Sequence, residues 1–204
     1  MSVVIVDYGL SNLGSIRRSL EECGATVRVS DDPKALRTAS RVVLPGVGSF
    51  ADGMVNLWKG GWVSALQEAA KEEKIPLLGI CLGMQLLADR GHEGGDIPGL
   101  GFLPGEVRRL EPHSHAEKIP HVGWNEIYPS GKSSLFNGIP DGSDFYFVHS
   151  YHLIPKYNDH VIATTPYCGR FVSAVGTENI FGVQFHPEKS GRLGFHVLDN
   201  FLNQ

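Results

Sequence analysis

Short apolar runs alternate with amphipathic stretches through the first half of the chain. Val3–Asp7 reads as a buried strand. Leu13, Ile16 and Leu20 then recur at helical spacing, with Arg17, Arg18, Glu21 and Glu22 on the opposite face. Thr26–Val29 and Arg41–Leu44 read as short strands around a helix that starts near Asp32-Pro33, where proline suits a first turn. Val63, Leu66 and Ala70 mark a further helix, which leads into the apolar run Ile75–Ile80. Strands and helices in that order predict an α/β fold with a mostly parallel sheet and helices on both faces. The second half changes character. From Gly101 to Phe185 the segments are strand-like and punctuated by turns such as Pro129-Ser130-Gly131 and Pro166-Tyr167-Cys168-Gly169. A last amphipathic helix runs through Leu193, Val197, Leu198 and Phe201. No repeat, low-complexity segment or linker interrupts residues 1–204, so one domain is expected.

Composition narrows the function classes. A net charge of −4 and a pI of about 6.1 give no electrostatic reason to expect nucleic acid or an anionic membrane as partner. No apolar run approaches the roughly 20 residues that span a bilayer. The first strand begins by Val3 with no charged n-region before it, so a cytoplasmic setting is expected. The three cysteines lie far apart and form no disulfide framework. Cys23 reads as a helix-end core residue and Cys168 as a turn thiol.

Cys81 is different. An isolated cysteine in an apolar run is usually a small core residue. Here the strand-like run stops at Cys81 and a helical pattern starts at once, with Gly79 and Gly83 two residues to either side. That is the spacing of a nucleophile elbow with sulfur in place of a hydroxyl. The thiol is then presented at a helix N-terminus, where backbone N–H groups and the helix dipole favour a thiolate. A second strand-like run, Phe181–Phe185, leads into His186-Pro187-Glu188. In extended backbone, residues two apart share a face, so Glu188 is expected to orient the His186 imidazole. A cysteine nucleophile needs such a proton carrier, and the carrier needs a third group to fix its tautomer.

Other residues suggest less on their own. Gln85 follows Cys81 by one helical turn and shares its face. The pairs His113/His115 and His149/His152 supply too few ligands for a metal, so no metal site is read. The glycines build neither a dinucleotide fingerprint nor a phosphate loop, and no cofactor is expected.

Gly79-Ile80-Cys81-Leu82-Gly83-Met84-Gln85 and Phe185-His186-Pro187-Glu188 resemble the nucleophile and His-Glu motifs of the class I, triad-type glutamine amidotransferases. Pro45-Gly46-Val47-Gly48 and Pro120-His121-Val122-Gly123-Trp124-Asn125 resemble the branch that serves as glutaminase subunit of imidazole glycerol phosphate synthase, in histidine biosynthesis. Val6-Asp7-Tyr8-Gly9 with Asn12-Leu13, and Tyr146–Tyr151, agree with that branch. One departure is Leu10-Ser11 before Asn12, where the branch often has a glycine. The resemblance covers essentially the whole chain and implies a flavodoxin-like sheet.

It also implies site roles. Cys81, His186 and Glu188 would be the catalytic triad. The N–H of Leu82 and one from the Val47-Gly48 segment would form the oxyanion hole. Gly48, Gln85, Glu93, Ser150 and Tyr151 would bind glutamine, Glu93 receiving its amino group. Ammonia would pass to a (β/α)8-barrel cyclase subunit in a heterodimer, which joins it to a phosphoribulosyl-formimino aminoimidazole nucleotide. Asn12, Trp124, Asn125, Tyr146 and Lys189 would meet that partner. Two alternatives stay open: a triad glutaminase serving another synthase, of the pyridoxal phosphate or anthranilate type, and a non-catalytic binding module on the same fold.

Overall fold

The computed structural model describes residues 1–204. In chain order it places β1 (Ser2–Val6), α1 (Leu13–Glu22), β2 (Thr26–Ser30), β3 (Arg41–Gly46), α2 (Phe50–Lys59), α3 (Trp62–Gln67), β4 (Leu77–Cys81), α4 (Leu82–Leu86) and β5 (Ala88–Gly91). There follow β6 (Ile97–Pro98), β7 (Leu103–Arg109), β8 (His121–Pro129), β9 (Ser143–His149), β10 (Tyr151–Pro155), β11 (Val161–Thr165), β12 (Phe171–Thr177), β13 (Ile180–Val183) and α5 (Gly191–Leu202).

Nine strands form one sheet in the order β2-β1-β3-β4-β13-β12-β11-β8-β9. From β2 to β13 all neighbours are parallel, and β4 and β13 are buried along their whole length. That is why Leu77–Ile80 and Ile180–Val183 are continuous apolar runs rather than alternating ones. From β13 to β9 the pairing is antiparallel, so the sheet is mixed. A smaller sheet, β10-β7-β5-β6, lies beside it.

Apolar side chains gather on both sides of the large sheet. Ile16 and Leu20 of α1 and Val197, Leu198 and Phe201 of α5 pack on one face. Phe50, Met54 and Leu57 of α2, with Trp62 and Leu66 of α3, pack on the other. No helix is long and apolar enough to cross a membrane.

Two local features differ from the sequence reading. The helix expected from Asp32-Pro33 is a 3₁₀ segment, Pro33–Thr38. Its start signal is real, since the Asp32 side chain accepts from the Lys34 N–H, but only Ala35 and Leu36 are buried and no apolar stripe extends it. Helix α2 is an addition to the expected elements: Ser49 accepts from the Asp52 N–H as an N-cap, and Phe50, Met54 and Leu57 follow at helical spacing.

Candidate active site

Strand β4 delivers Cys81 to the C-terminal edge of the parallel strands, where ligands bind in open α/β sheets. Cys81 takes φ +55° and ψ −110°, a conformation costly for a residue with a side chain. The close packing around it explains the flanking glycines. A Cβ on Gly79 would lie 2.6 Å from the Gly83 carbonyl oxygen, and one on Gly83 would collide with the Leu44 carbonyl. Helix α4 starts at Leu82 with Cys81 as its N-cap, so its first N–H groups have no carbonyl one turn back within the helix.

His186 arrives one residue after Gln184-Phe185, just beyond β13, the parallel neighbour of β4. Its Nδ1 is 2.8 Å from Glu188 Oε1, and both side chains are about 5% exposed or less. The pairing differs in one respect from the expected extended geometry. Pro187–Lys189 form a 3₁₀ turn capped by His186, with Pro187 at its first position, where a missing N–H costs nothing. The turn is braced by Ser190, whose hydroxyl donates to the His186 carbonyl at 2.6 Å and accepts from the Tyr146 N–H at 3.0 Å.

The His186 Nε2, the ring nitrogen that Glu188 does not take, makes no hydrogen bond of ordinary geometry and opens on the same cavity as the Cys81 sulfur. Burial alone pushes the imidazole down. Cys81 and then Glu188 outweigh it and raise His186 to about 9. A buried imidazolium between a sulfur and a carboxylate can return a proton to a leaving group.

Cys81 opens on a cavity of about 300 Å³ lined by Val47, Gly48, Leu82, Gln85, Glu93, Ser150, Tyr151 and His186. Every expected oxyanion and glutamine-binding residue therefore meets Cys81 in one place. Gln85 Nε2 donates to the Tyr151 carbonyl at 2.9 Å and to Gln184 Oε1 at 3.0 Å. Glu93 accepts from the Phe50 N–H at 2.9 Å, and desolvation raises its carboxyl above the usual range. Gly48, at φ +106°, adopts a conformation suited to glycine. The Val47 N–H turns away from the cavity and donates to the Leu10 carbonyl at 2.8 Å.

The expected partner residues lie next to the cavity. Trp124 and Tyr146 face each other across the β8–β9 pair, rings 6.1 Å apart, with Lys189 Nζ 5.7 Å from the Tyr146 ring. Trp124 and Val122 are each 57% exposed, and Val148 beside them also lines the Cys81 cavity. Asn12 and Lys189 line a small cleft with Val47, His186 and Glu188. Asn125 turns its side chain inward instead of displaying it.

A family model described as "Glutamine amidotransferase class-I" matches residues 4–204. The imidazole glycerol phosphate synthase subunit HisH of Moorella thermoacetica is 50% identical over 199 residues, covering 98% of this chain and 93% of that one. The HisH 1 subunit of Campylobacter jejuni is 44% identical, covering 98% of each chain. The chain belongs to the class I glutamine amidotransferases. It is a glutamine-hydrolysing enzyme.

Solved structures share the fold. One described as "glutamine amidotransferase" superposes with a TM-score of 0.75 at 17% identity, covering 97% of this chain and 98% of that one. The PurLQS structure from Thermotoga maritima gives 0.74 at 20%, covering 99% and 97%. Within this amidotransferase site the sequence reading overlooked Gln184. It is fully buried, its Nε2 lies 3.7 Å from the Cys81 sulfur, and its Oε1 fixes Gln85. The signal was present, since a glutamine inside Phe181–Phe185 is a polar group that burial obliges to find partners.

Proposed function

We propose that this chain is the glutaminase subunit of an imidazole glycerol phosphate synthase, acting as one domain over residues 1–204, with Cys81, His186 and Glu188 carrying its chemistry. One observation carries the assignment of roles: a buried His–Glu pair whose free imidazole edge answers to a strained thiol at a helix N-terminus.

In the proposed reaction the Cys81 sulfur attacks the side-chain amide carbon of glutamine. The oxyanion is met by the Leu82 N–H and by an N–H of the Val47-Gly48 segment. His186 protonates the departing ammonia, leaving a thioester on Cys81. His186 then takes a proton from water, which attacks the thioester and releases glutamate. Glu188 orients the imidazole and stabilises its charged form. Gln85 holds the substrate, Ser150 and Tyr151 flank its carboxylate, and Glu93 takes its ammonium group, which would also relieve the cost of a desolvated carboxylate.

Ammonia passes to a cyclase subunit, for which we infer a (β/α)8 barrel seated on the Trp124–Tyr146 patch. Exposed Trp124, Val122 and Val148, with Val148 on the wall of the cavity, suit a partner that seals it. The Val47 N–H, held by Leu10, must turn to serve the oxyanion hole. A peptide between Gly46 and Gly48 turns with little steric resistance. The subunit alone is therefore expected to be a weak glutaminase that its partner activates. The deciding experiment is nitrogen transfer in the assembled synthase. Cys81→Ala should lose glutamine-dependent synthesis while keeping synthesis from ammonium salt, and loss of both would refute the division of labour.

A further inference from the structure

Beneath the β8–β9 hairpin a line of hydrogen bonds runs from the patch to the cavity. The Asn125 Oδ1 accepts from the Glu126 N–H at 2.9 Å, which leaves its Nδ2 facing His121 Nε2 at 3.2 Å. His121 Nδ1 is 3.0 Å from His149 Nε2, and His149 Nδ1 is 2.9 Å from the Tyr151 carbonyl. That carbonyl also accepts from Gln85.

Only one proton arrangement satisfies this line. A carbonyl cannot donate, so His149 carries its proton on Nδ1 and accepts at Nε2. His121 must then donate from Nδ1 and accept at Nε2, which is what the Asn125 amide independently requires. Both rings are neutral, as the arrangement demands. Burial pushes His121 to about 4 and His149 to about 3. The rings are also held in place. His121 lies between Tyr167 and Phe147, at centroid distances of 4.0 and 5.0 Å, and His149 packs on Phe171 at 4.9 Å. No third histidine, cysteine or carboxylate completes a metal set around them.

At the cavity end the line fixes a substrate-facing group. Gln85 uses both Nε2 hydrogens, on Tyr151 and on Gln184, so its Oε1 is what remains for a ligand.

We propose that His121 and His149 are positioning residues of the glutaminase. Their one-way hydrogen-bond chain holds the Tyr151 carbonyl, and through it Gln85, where glutamine is received, and it ties that place to the strand bearing Trp124. This rests on the reading of Gln85 and Tyr151 as glutamine-binding. His149 also lines the Cys81 cavity, but both of its ring nitrogens are taken up within the chain, and His121 lies behind it.

The test combines spectroscopy and kinetics on the assembled synthase. ¹⁵N spectra of histidine-labelled protein at neutral pH should show both rings neutral in the Nδ1–H tautomer. His121→Phe keeps a ring between Tyr167 and Phe147 but removes donor and acceptor. It should raise KM for glutamine about tenfold, the order of one to two lost hydrogen bonds, with kcat changed less than about threefold. His121→Asn places an amide donor near the Nδ1 position and should recover most of that KM. Gln85→Ala reports on the subsite itself. An unchanged KM in Gln85→Ala would remove the glutamine-binding reading, whereas a raised KM there beside an unchanged one in His121→Phe would refute the positioning chain alone. An Nε2–H tautomer at either ring would overturn the proposal even if His121→Phe failed to fold.

Discussion

Cys81 holds a backbone conformation with φ +55° that a side chain resists, and the close contacts at Gly79 and Gly83 keep it there. Such a residue is expected to be the one that an electrophilic glutamine analogue labels, while Cys23 and Cys168 are spared. Mass spectrometry showing the label elsewhere, with activity lost, would overturn the assignment. The relay is graded. His186→Asn removes the proton carrier and should lower kcat by several orders of magnitude. Glu188→Gln removes orientation and charge stabilisation and should cost less, roughly one to two orders. The raised His186 value has a consequence for stability. Between its ordinary value of 6.5 and about 9 the folded state binds a proton that the unfolded chain has released. This contribution is complete below pH 6.5 and is lost as pH rises through 9. Thermal melts should show wild-type Tm falling more steeply across that window than the Tm of His186→Asn, and parallel profiles would contradict a buried imidazolium.

The segment that runs out of β3, proposed to serve the oxyanion hole, is held by its neighbours. Val47 donates to the Leu10 carbonyl, and the Ser11 hydroxyl donates to the Pro45 carbonyl at 3.2 Å. Ser11→Ala removes one tether and leaves the other. A net hydrogen bond is worth about 1 kcal/mol, so the activity of the free subunit should rise by up to roughly fivefold, measured as glutamate release without partner. A fall in that rate would show that Ser11 supports the working geometry instead. Elements of this kind were unevenly legible in the sequence. The strands that carry the site were plain, because a strand buried on both faces must be apolar throughout, as Leu77–Ile80 is. The Cys81 elbow and the His186–Glu188 pair were legible because their signals are local. Asp32-Pro33 announced a start but not that the segment would end within six residues. The His121–His149 chain was not legible, because it exists only in the cross-strand register that sets residues 28 apart side by side. In sequence His149 belongs to a pair too small to hold a metal, and His121 stands out only as part of the Pro120–Asn125 run.

For the whole molecule, the parallel strands build the site and the antiparallel extension carries the face beside it. Strands β8 and β9 carry Val148 and His149 to the wall of the Cys81 cavity and set Trp124 and Tyr146 across from each other on the same strand pair, with Asn125 and His121 turned inward. That strand order could not be read from alternation alone, since pairing partners lie far apart in sequence. Trp124→Ala should weaken association with the cyclase by tenfold or more, the scale of an aromatic anchor at an interface. Unaltered affinity would move the partner to another face. On the proposed oxyanion role, the Val47 N–H that rests on the Leu10 carbonyl must turn before the site is complete, so activity and assembly should be coupled. The most direct measurement is the glutaminase rate of this chain alone, with a cyclase subunit, and with cyclase plus its nucleotide. The account predicts a weak rate alone and strong stimulation when partner and nucleotide are both present, all of it abolished by Cys81→Ala. A chain already at full rate alone, indifferent to any cyclase, would contradict it.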